Sequence, residues 1–229
     1  MTWAIPCPQQ PSLPIVGSKD RFPVRRIYCV GQNYAAHARE MGSNPDQEPP
    51  FFFSKPADAL VADGATIPYP PGTENLHHEA ELVVAIGNGG ASIPRETALD
   101  HVWGYAVGND LTRRDLQAAA KKIGRPWDMS KGFDNSAPCA PLHPASSTGH
   151  LTSGAINLTV NGETRQSSNL SDLIWSVADV IAYLSTLVEL MPGDLIFTGT
   201  PEGVGPLVPG DVCVVEIEGL GKLTTRIGK

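Results

Sequence analysis

The chain has only four cysteines in 229 residues, Cys7, Cys29, Cys139 and Cys213. None sits in a CxxC pair or at zinc-finger spacing, which excludes a disulfide framework and a cysteine zinc site and leaves free thiols. No apolar run approaches the roughly 20 residues of a membrane helix. Basic residues are the minority, 17 Lys and Arg against 24 Asp and Glu, for a net charge of -7 without long charged runs. A protein that grips a phosphate backbone shows a basic face, so nucleic acid is not an expected partner. GxSxG, GxGxxG and P-loop signatures are all missing, which removes the usual serine hydrolase, dinucleotide and nucleotide readings. The segment Met1–Pro6 has no basic stretch leading into an apolar core, so no secretory leader is expected and the cytoplasm is the expected compartment.

What is present suits a folded domain: 41% hydrophobic and 18% charged residues can form a substantial core. Residues 1–23 are rich in Pro and Gln, show no periodicity and read as an extended arm that wraps over the body. Residues 24–229 read as a single domain, since no linker or repeat divides them. Short strand signals dominate: 26–30, 51–53, several between 62 and 86, 105–109, 195–197 and 212–215. Asn161-Gly162 between two strand-like runs predicts a hairpin. A helix is expected from Asn33 as N-cap to a stop at Gly42, followed by a polar loop over 43–50. A second is expected over about 112–122. The longest is expected over 171–187, with Leu173, Ile174, Val177, Ile181 and Leu184 as its apolar stripe. The reading is an α+β fold, β-rich, with few helices; the absence of regular βαβ alternation speaks against Rossmann and TIM architectures.

The chemistry concentrates in carboxylates. Glu79 and Glu81 are two apart in the run Leu76–Gly87, so in a strand they project to one side while Leu82, Val84 and Ile86 take the other. Asp110 ends the next apolar run, Tyr105–Asn109. Like charges side by side call for a cation, and hard oxygen ligands suit Mg2+, Mn2+ or Ca2+. His77 and His78 adjoin the pair but lack the further ligand that zinc would need. His37 and Glu40 are three apart on a helix, the spacing at which a carboxylate orients an imidazole for general base work; the alternative is a surface histidine with an incidental neighbour. The polar loop after them gives this element the look of a lid. Lys55, after three phenylalanines, and Lys131, in Trp127–Phe133, read either as pocket cations or as solvated loop charges. Thr198–Gly205 is Gly-rich and reads as a loop that brings N–H groups and a hydroxyl to a ligand, or as an ordinary turn.

Six ordered blocks carry a family resemblance: Gly31–His37, Phe53–Pro56, His77–Leu82, Asn109–Asp115, Lys131–Asp134 and Thr198–Gly205. With them the chain resembles the fumarylacetoacetate hydrolase family from about Val24 to Ile227. It is most similar to the short, acylpyruvase-like branch, because the extra N-terminal domain of the larger enzymes is not seen. The resemblance implies a mixed β-roll or sandwich, a divalent metal (usually Mg2+) and a homodimer. It implies Glu79, Glu81 and Asp110 as metal ligands, His37 and Glu40 as the water-activating dyad, and Lys131 as the active-site lysine. Lys55, Arg114, Gln117 and Thr200 match residues of the substrate pocket. Gln32 is a departure, since many relatives carry Arg there.

The implied reaction is hydrolysis of the C–C bond of a 2,4-dioxo acid, an acylpyruvate, with fumarylpyruvate of gentisate degradation as the expected substrate. Lys55 or Arg114 would receive its far carboxylate. Two alternatives stand beside this. The same site could decarboxylate oxaloacetate, or isomerise or decarboxylate a longer dioxo acid of aromatic catabolism. Alternatively, the scaffold could bind a ligand without catalysis.

Overall fold

The computed structural model describes residues 2–40 and 49–229. Among these residues there are four sheets. The largest has eight strands, running in space Phe51–Lys55, Arg26–Gly31, Asp194–Phe197, Ala80–Ile86, Val102–Asn109, Ala137–Cys139 and Leu60–Ala62, with His143–Pro144 also on Val102–Asn109. It is mixed: Asp194–Phe197 runs parallel to Arg26–Gly31 and antiparallel to Ala80–Ile86. A five-stranded sheet contains the hairpin Ala155–Val160 and Glu163–Asn169, then Val212–Ile217, Gly221–Ile227 and Thr66–Ile67. The hairpin turn has positive φ at both Asn161 and Gly162, the conformation for which Asn-Gly is suited. A three-stranded sheet joins Thr112–Arg113, Leu76–His78 and Gly205–Leu207. Helices are few, as expected for this β-rich α+β fold, and among the described residues no helix is long and apolar enough to cross a membrane.

Ala80–Ile86 is buried along its whole length and so faces apolar surroundings on both sides. Leu82, Val84 and Ile86 point into one core, which they share with Ile156, Leu158, Val215 and Ile217 of the five-stranded sheet. Val83 and Ala85 point into a second core with Ile27, Cys29, Ala106, Leu195 and Phe197. The alternation expected for this strand is therefore present, with Glu81 on the side of the second core. Cys29, Cys139 and Cys213 are buried free thiols, and Cys7 is an exposed one.

Three expectations need correction. The longest helix begins at Val177, not Ser171; a 3-10 turn occupies Leu170–Asp172, and Ser176 with Asp179 forms the capping box. Leu173 and Ile174 therefore lie outside the helical stripe, while Val177, Ile181 and Leu184 are buried in it. Secondly, the helix after Asn33 starts at Ala35, and Asn33 does not cap it. Its side chain is buried and ties two distant loops together, donating to Trp175 O (2.9 Å) and Thr198 O (2.8 Å) and accepting from Trp175 N (2.8 Å). Thirdly, the N-terminal arm is not wholly extended: Ser12–Pro14 and Arg21–Pro23 pair as a small hairpin that buries Leu13 and Phe22 in the second core. The Gly42 stop and most of the polar loop read as a lid fall outside the described residues.

Candidate active site

Strand pairing brings the carboxylates together. Ala80 faces Asn109 in the antiparallel ladder, so Glu79 and Asp110 meet where the two strands end. The junction is closed by Asp110 N donating to Glu79 O (2.8 Å) and by Glu79 N donating to the Asn109 side chain (3.0 Å). Glu79, Glu81 and Asp110 are all buried, and each offers an oxygen within 4.8 Å of the others.

Their partners differ. Lys131 Nζ donates to Glu79 Oε2 (2.6 Å) and Asp110 Oδ2 (2.8 Å). Arg114 Nη2 donates to Glu79 Oε1 (2.5 Å). Burial opposes the Glu79 charge, but Lys131 and Arg114 outweigh it and hold the carboxyl well below its usual range. Burial likewise opposes the Lys131 charge, and Asp110 and Glu79 override it, so its pKa rises. Among the described residues Glu81 is paired with no cation and accepts from the Gly199 N–H at 2.8 Å. Burial, then Asp110, then Glu79 push its pKa well above the usual value.

Lys55 departs from its expected place in the substrate pocket. It is fully buried behind Asp110, its Nζ 2.8 Å from Asp110 Oδ1, and it directs its hydrogens at the carbonyls of Leu111 (3.1 Å) and Lys131. Asp110 Oδ1 therefore has the Lys55 ammonium as its partner, as an ion pair rather than an aligned hydrogen bond. Arg114 is also committed: besides Glu79 it donates to Gln117 Oε1 (2.7 Å). Lys55 cannot take a substrate carboxylate without abandoning these partners, whereas Arg114 keeps N–H groups beyond those given to Glu79, Gln117 and His77.

The cleft above the carboxylates is lined by Glu79, Glu81, Gln117, Lys131 and Thr200, together with Gln32, Phe53, Lys121 and Trp127. Thr200 Oγ1 accepts from Gln166 Nε2 (2.8 Å). Near Glu79, His37 is buried and its Nδ1 lies 3.1 Å from Glu40 Oε2. With Nδ1–H given to Glu40, Nε2 keeps a free lone pair. His77 and His78 are tied to Asn75 and Gln166 respectively. Burial holds His77 at a pKa of about 4.

Sequence reasoning overlooked Gln166. It is buried in the hairpin strand and fastens the carboxylate strand to the Thr198–Gly205 loop. Its Oε1 accepts from Ala80 N (3.0 Å), and its Nε2 reaches both Thr200 Oγ1 and Pro201 O (2.7 Å). Its only signal is parity: it faces inward opposite Leu158 in a strand that otherwise reads as polar throughout. Trp127 and Lys121 were overlooked because nothing local marks them as cleft residues.

The donor set fits a divalent cation. It consists of carboxylate oxygens alone, the ligands favoured by hard ions. Among the described residues it holds one carboxylate without a cationic partner, Glu81.

The family model described as fumarylacetoacetate (FAA) hydrolase C-terminal matches residues 26–228. A fumarylpyruvate hydrolase of Ralstonia sp is 47% identical over 181 residues, covering 79% of this chain and 94% of that protein. The crystal structure of fumarylpyruvate hydrolase from Pseudomonas aeruginosa in complex with Mn2+ and pyruvate is 56% identical, with a TM-score of 0.97 over 99% of both chains. An oxaloacetate tautomerase of Escherichia coli K12 is 42% identical over 207 residues, covering 90% of this chain and 94% of that protein. On its matched span, its identities and its buried carboxylate centre, the chain belongs to the fumarylacetoacetate hydrolase family.

Proposed function

We propose that the protein is a divalent-metal-dependent hydrolase that splits acylpyruvates, with fumarylpyruvate as substrate and fumarate and pyruvate as products. The observation that carries this is the buried Glu79, Glu81 and Asp110 set with Lys131 between two of them, in a chain 56% identical to a fumarylpyruvate hydrolase crystallised with Mn2+ and pyruvate. Charge supports the substrate class. Three carboxylates against Lys55, Lys131 and Arg114 balance formally, so a divalent cation would leave the centre doubly positive, matched to a dianionic dioxo acid. Mg2+ is the proposed ion, and Mn2+ accepts the same ligands. Residues 24–229 are the proposed catalytic unit, in a homodimer.

When bound by Glu79, Glu81 and Asp110, the ion supplies Lewis acidity to the oxygens of the 2-oxo acid and draws off developing negative charge. His37 Nε2, oriented through Nδ1 by Glu40, takes a proton from water. The hydroxide adds to the acyl carbonyl carbon. Lys131 and the Gln117 amide, both lining the cleft, face the negative charge that forms there. The bond between the acyl carbon and C3 of the pyruvyl unit then breaks. Its electron pair passes to the pyruvyl fragment as an enolate, and the proton held on His37 returns to C3. The acyl group leaves as a carboxylic acid, which ionises.

The identity to an oxaloacetate tautomerase supports a second reading, proton transfer at C3 of oxaloacetate without C–C hydrolysis. Ultraviolet decay of fumarylpyruvate, acetylpyruvate and oxaloacetate, each with Mg2+ and with EDTA, separates the two. Mg2+-dependent conversion of fumarylpyruvate to fumarate and pyruvate is expected. Oxaloacetate tautomerisation with no acylpyruvate cleavage would overturn the hydrolase reading.

A further inference from the structure

The cleft runs from the carboxylates along an aromatic wall to a lysine that the mechanism does not use. Lys131 Nζ lies 4.9 Å from the centre of the Phe53 ring. The Phe53 and Trp127 rings are 5.8 Å apart. Lys121 Nζ lies over the Trp127 ring, 5.5 Å from its centre. All four residues line one cleft with Glu79 and Glu81.

The two cleft lysines are in different situations. Lys131 is engaged by Glu79 and Asp110, whereas Lys121 has no carboxylate partner among the described residues. Among those residues it rests against the face of Trp127, an arrangement that positions a cation without neutralising it. Its ammonium is partly withdrawn from water and is repelled by Arg114, and its pKa falls below the ordinary lysine value as a result. A nearby anion would relieve that repulsion. Lys55 and Arg114, the two cations first expected to receive the far end of the substrate, are held beneath Asp110 and against Glu79.

We propose that Lys121 binds the terminal carboxylate of the acyl group, with Phe53 and Trp127 flanking the planar chain that leads to it. The site thereby selects acylpyruvates that end in a second anion over those that end in a methyl group. This rests on the acylpyruvate reading above and adds a specificity residue to it. A flat conjugated chain suits an aromatic wall, and a carboxylate at its end suits an ammonium supported by an indole.

The test compares Lys121→Met and Lys121→Arg with the wild-type protein in Mg2+. For Lys121→Met, kcat/KM on fumarylpyruvate should fall about 10- to 100-fold, the scale of one charge-assisted hydrogen bond, with most of the change in KM. Acetylpyruvate, which lacks the second carboxylate, should change less than about threefold on the same scale, and Lys121→Arg should recover part of the loss. An equal fall on both substrates, or none on fumarylpyruvate, would overturn the proposal. A binding arm stands apart from turnover: fumarate and crotonate are titrated into Mg2+-loaded protein saturated with pyruvate. The wild-type protein should prefer fumarate, and Lys121→Met should lose that preference; a preference that survives the substitution would overturn the assignment. If the wild-type protein cleaves neither acylpyruvate, the hydrolase reading fails, and the binding arm alone decides the role of Lys121.

Discussion

Glu79 and Asp110 each lie within hydrogen-bond reach of a lysine ammonium, whereas Glu81 depends on the backbone N–H of Gly199. That N–H is in place because Gly199 adopts φ +100 and packs so closely on Asn33 that a Cβ would come within 2.7 Å of the Asn33 Cβ. Gly199→Ala should therefore cost about 1–3 kcal/mol of stability, the scale of a non-glycine residue forced into such a conformation. It should also weaken Mn2+ binding by turning the donor away from Glu81. Urea unfolding together with a Mn2+ titration checks both, and unchanged values would show that the loop is not held as described. At this scale the carboxylates were legible, because strand parity alone sets Glu79 and Glu81 against Leu82, Val84 and Ile86. Lys55 was not: the position of a lysine after Phe51–Ser54 does not reveal which side of Asp110 its ammonium will occupy. Gln166 and Asn33 were illegible for a related reason. Their partners lie 34 to 165 residues away in the chain, and a buried amide carries no local mark of what it will join.

The helix Val177–Leu187 shows how element boundaries escape periodicity. Leu173 and Ile174 fit its apolar spacing, but the backbone enters the helix only at Ser176, whose hydroxyl accepts from Asp179 N while Asp179 accepts from Ser176 N. Ser-x-x-Asp is a capping signature that outranks hydrophobic spacing as a start signal. Arg95 pairs with the same aspartate and ties the helix to the 3-10 segment Arg95–His101. Ser176→Ala should destabilise the protein by about 1 kcal/mol, read as a lower urea midpoint. Asp179 also gives a pH dependence. Partial burial works against its ionisation, but the Arg95 and Ser176 hydrogen bonds outweigh it, so its folded pKa lies below the usual aspartate value. A depressed folded pKa contributes stability that is present above the unfolded pKa, about 4, and is lost as pH falls through the folded one. Asp179→Asn should accordingly be less stable than wild type at pH 7, with the gap narrowing as pH falls below about 4. A gap that widened in acid would contradict the sign.

In the molecule as a whole, the β-rich α+β class and the hairpin at Asn161-Gly162 followed from local pattern, but the order of strands in the large sheet did not. Asp194–Phe197 pairs in parallel with Arg26–Gly31 across more than half the chain, and buried strands with apolar residues on both faces carry no register signal of their own. That pairing nevertheless builds the site. Phe197 enters the second core beside Val83, and the next three residues turn Thr198, Gly199 and Thr200 over the carboxylates. Two cores thus fix the sheet, and the ends of its central strands place three carboxylates beside a lysine that bridges two of them and near a histidine poised by Glu40. The most direct test of this arrangement is His37→Ala, read in one preparation by Mn2+ affinity and by fumarylpyruvate cleavage. The account predicts Mn2+ binding as in the wild-type protein, with hydrolysis reduced at least about 10²-fold, the scale of a lost general base. Near-normal cleavage in that variant would contradict it.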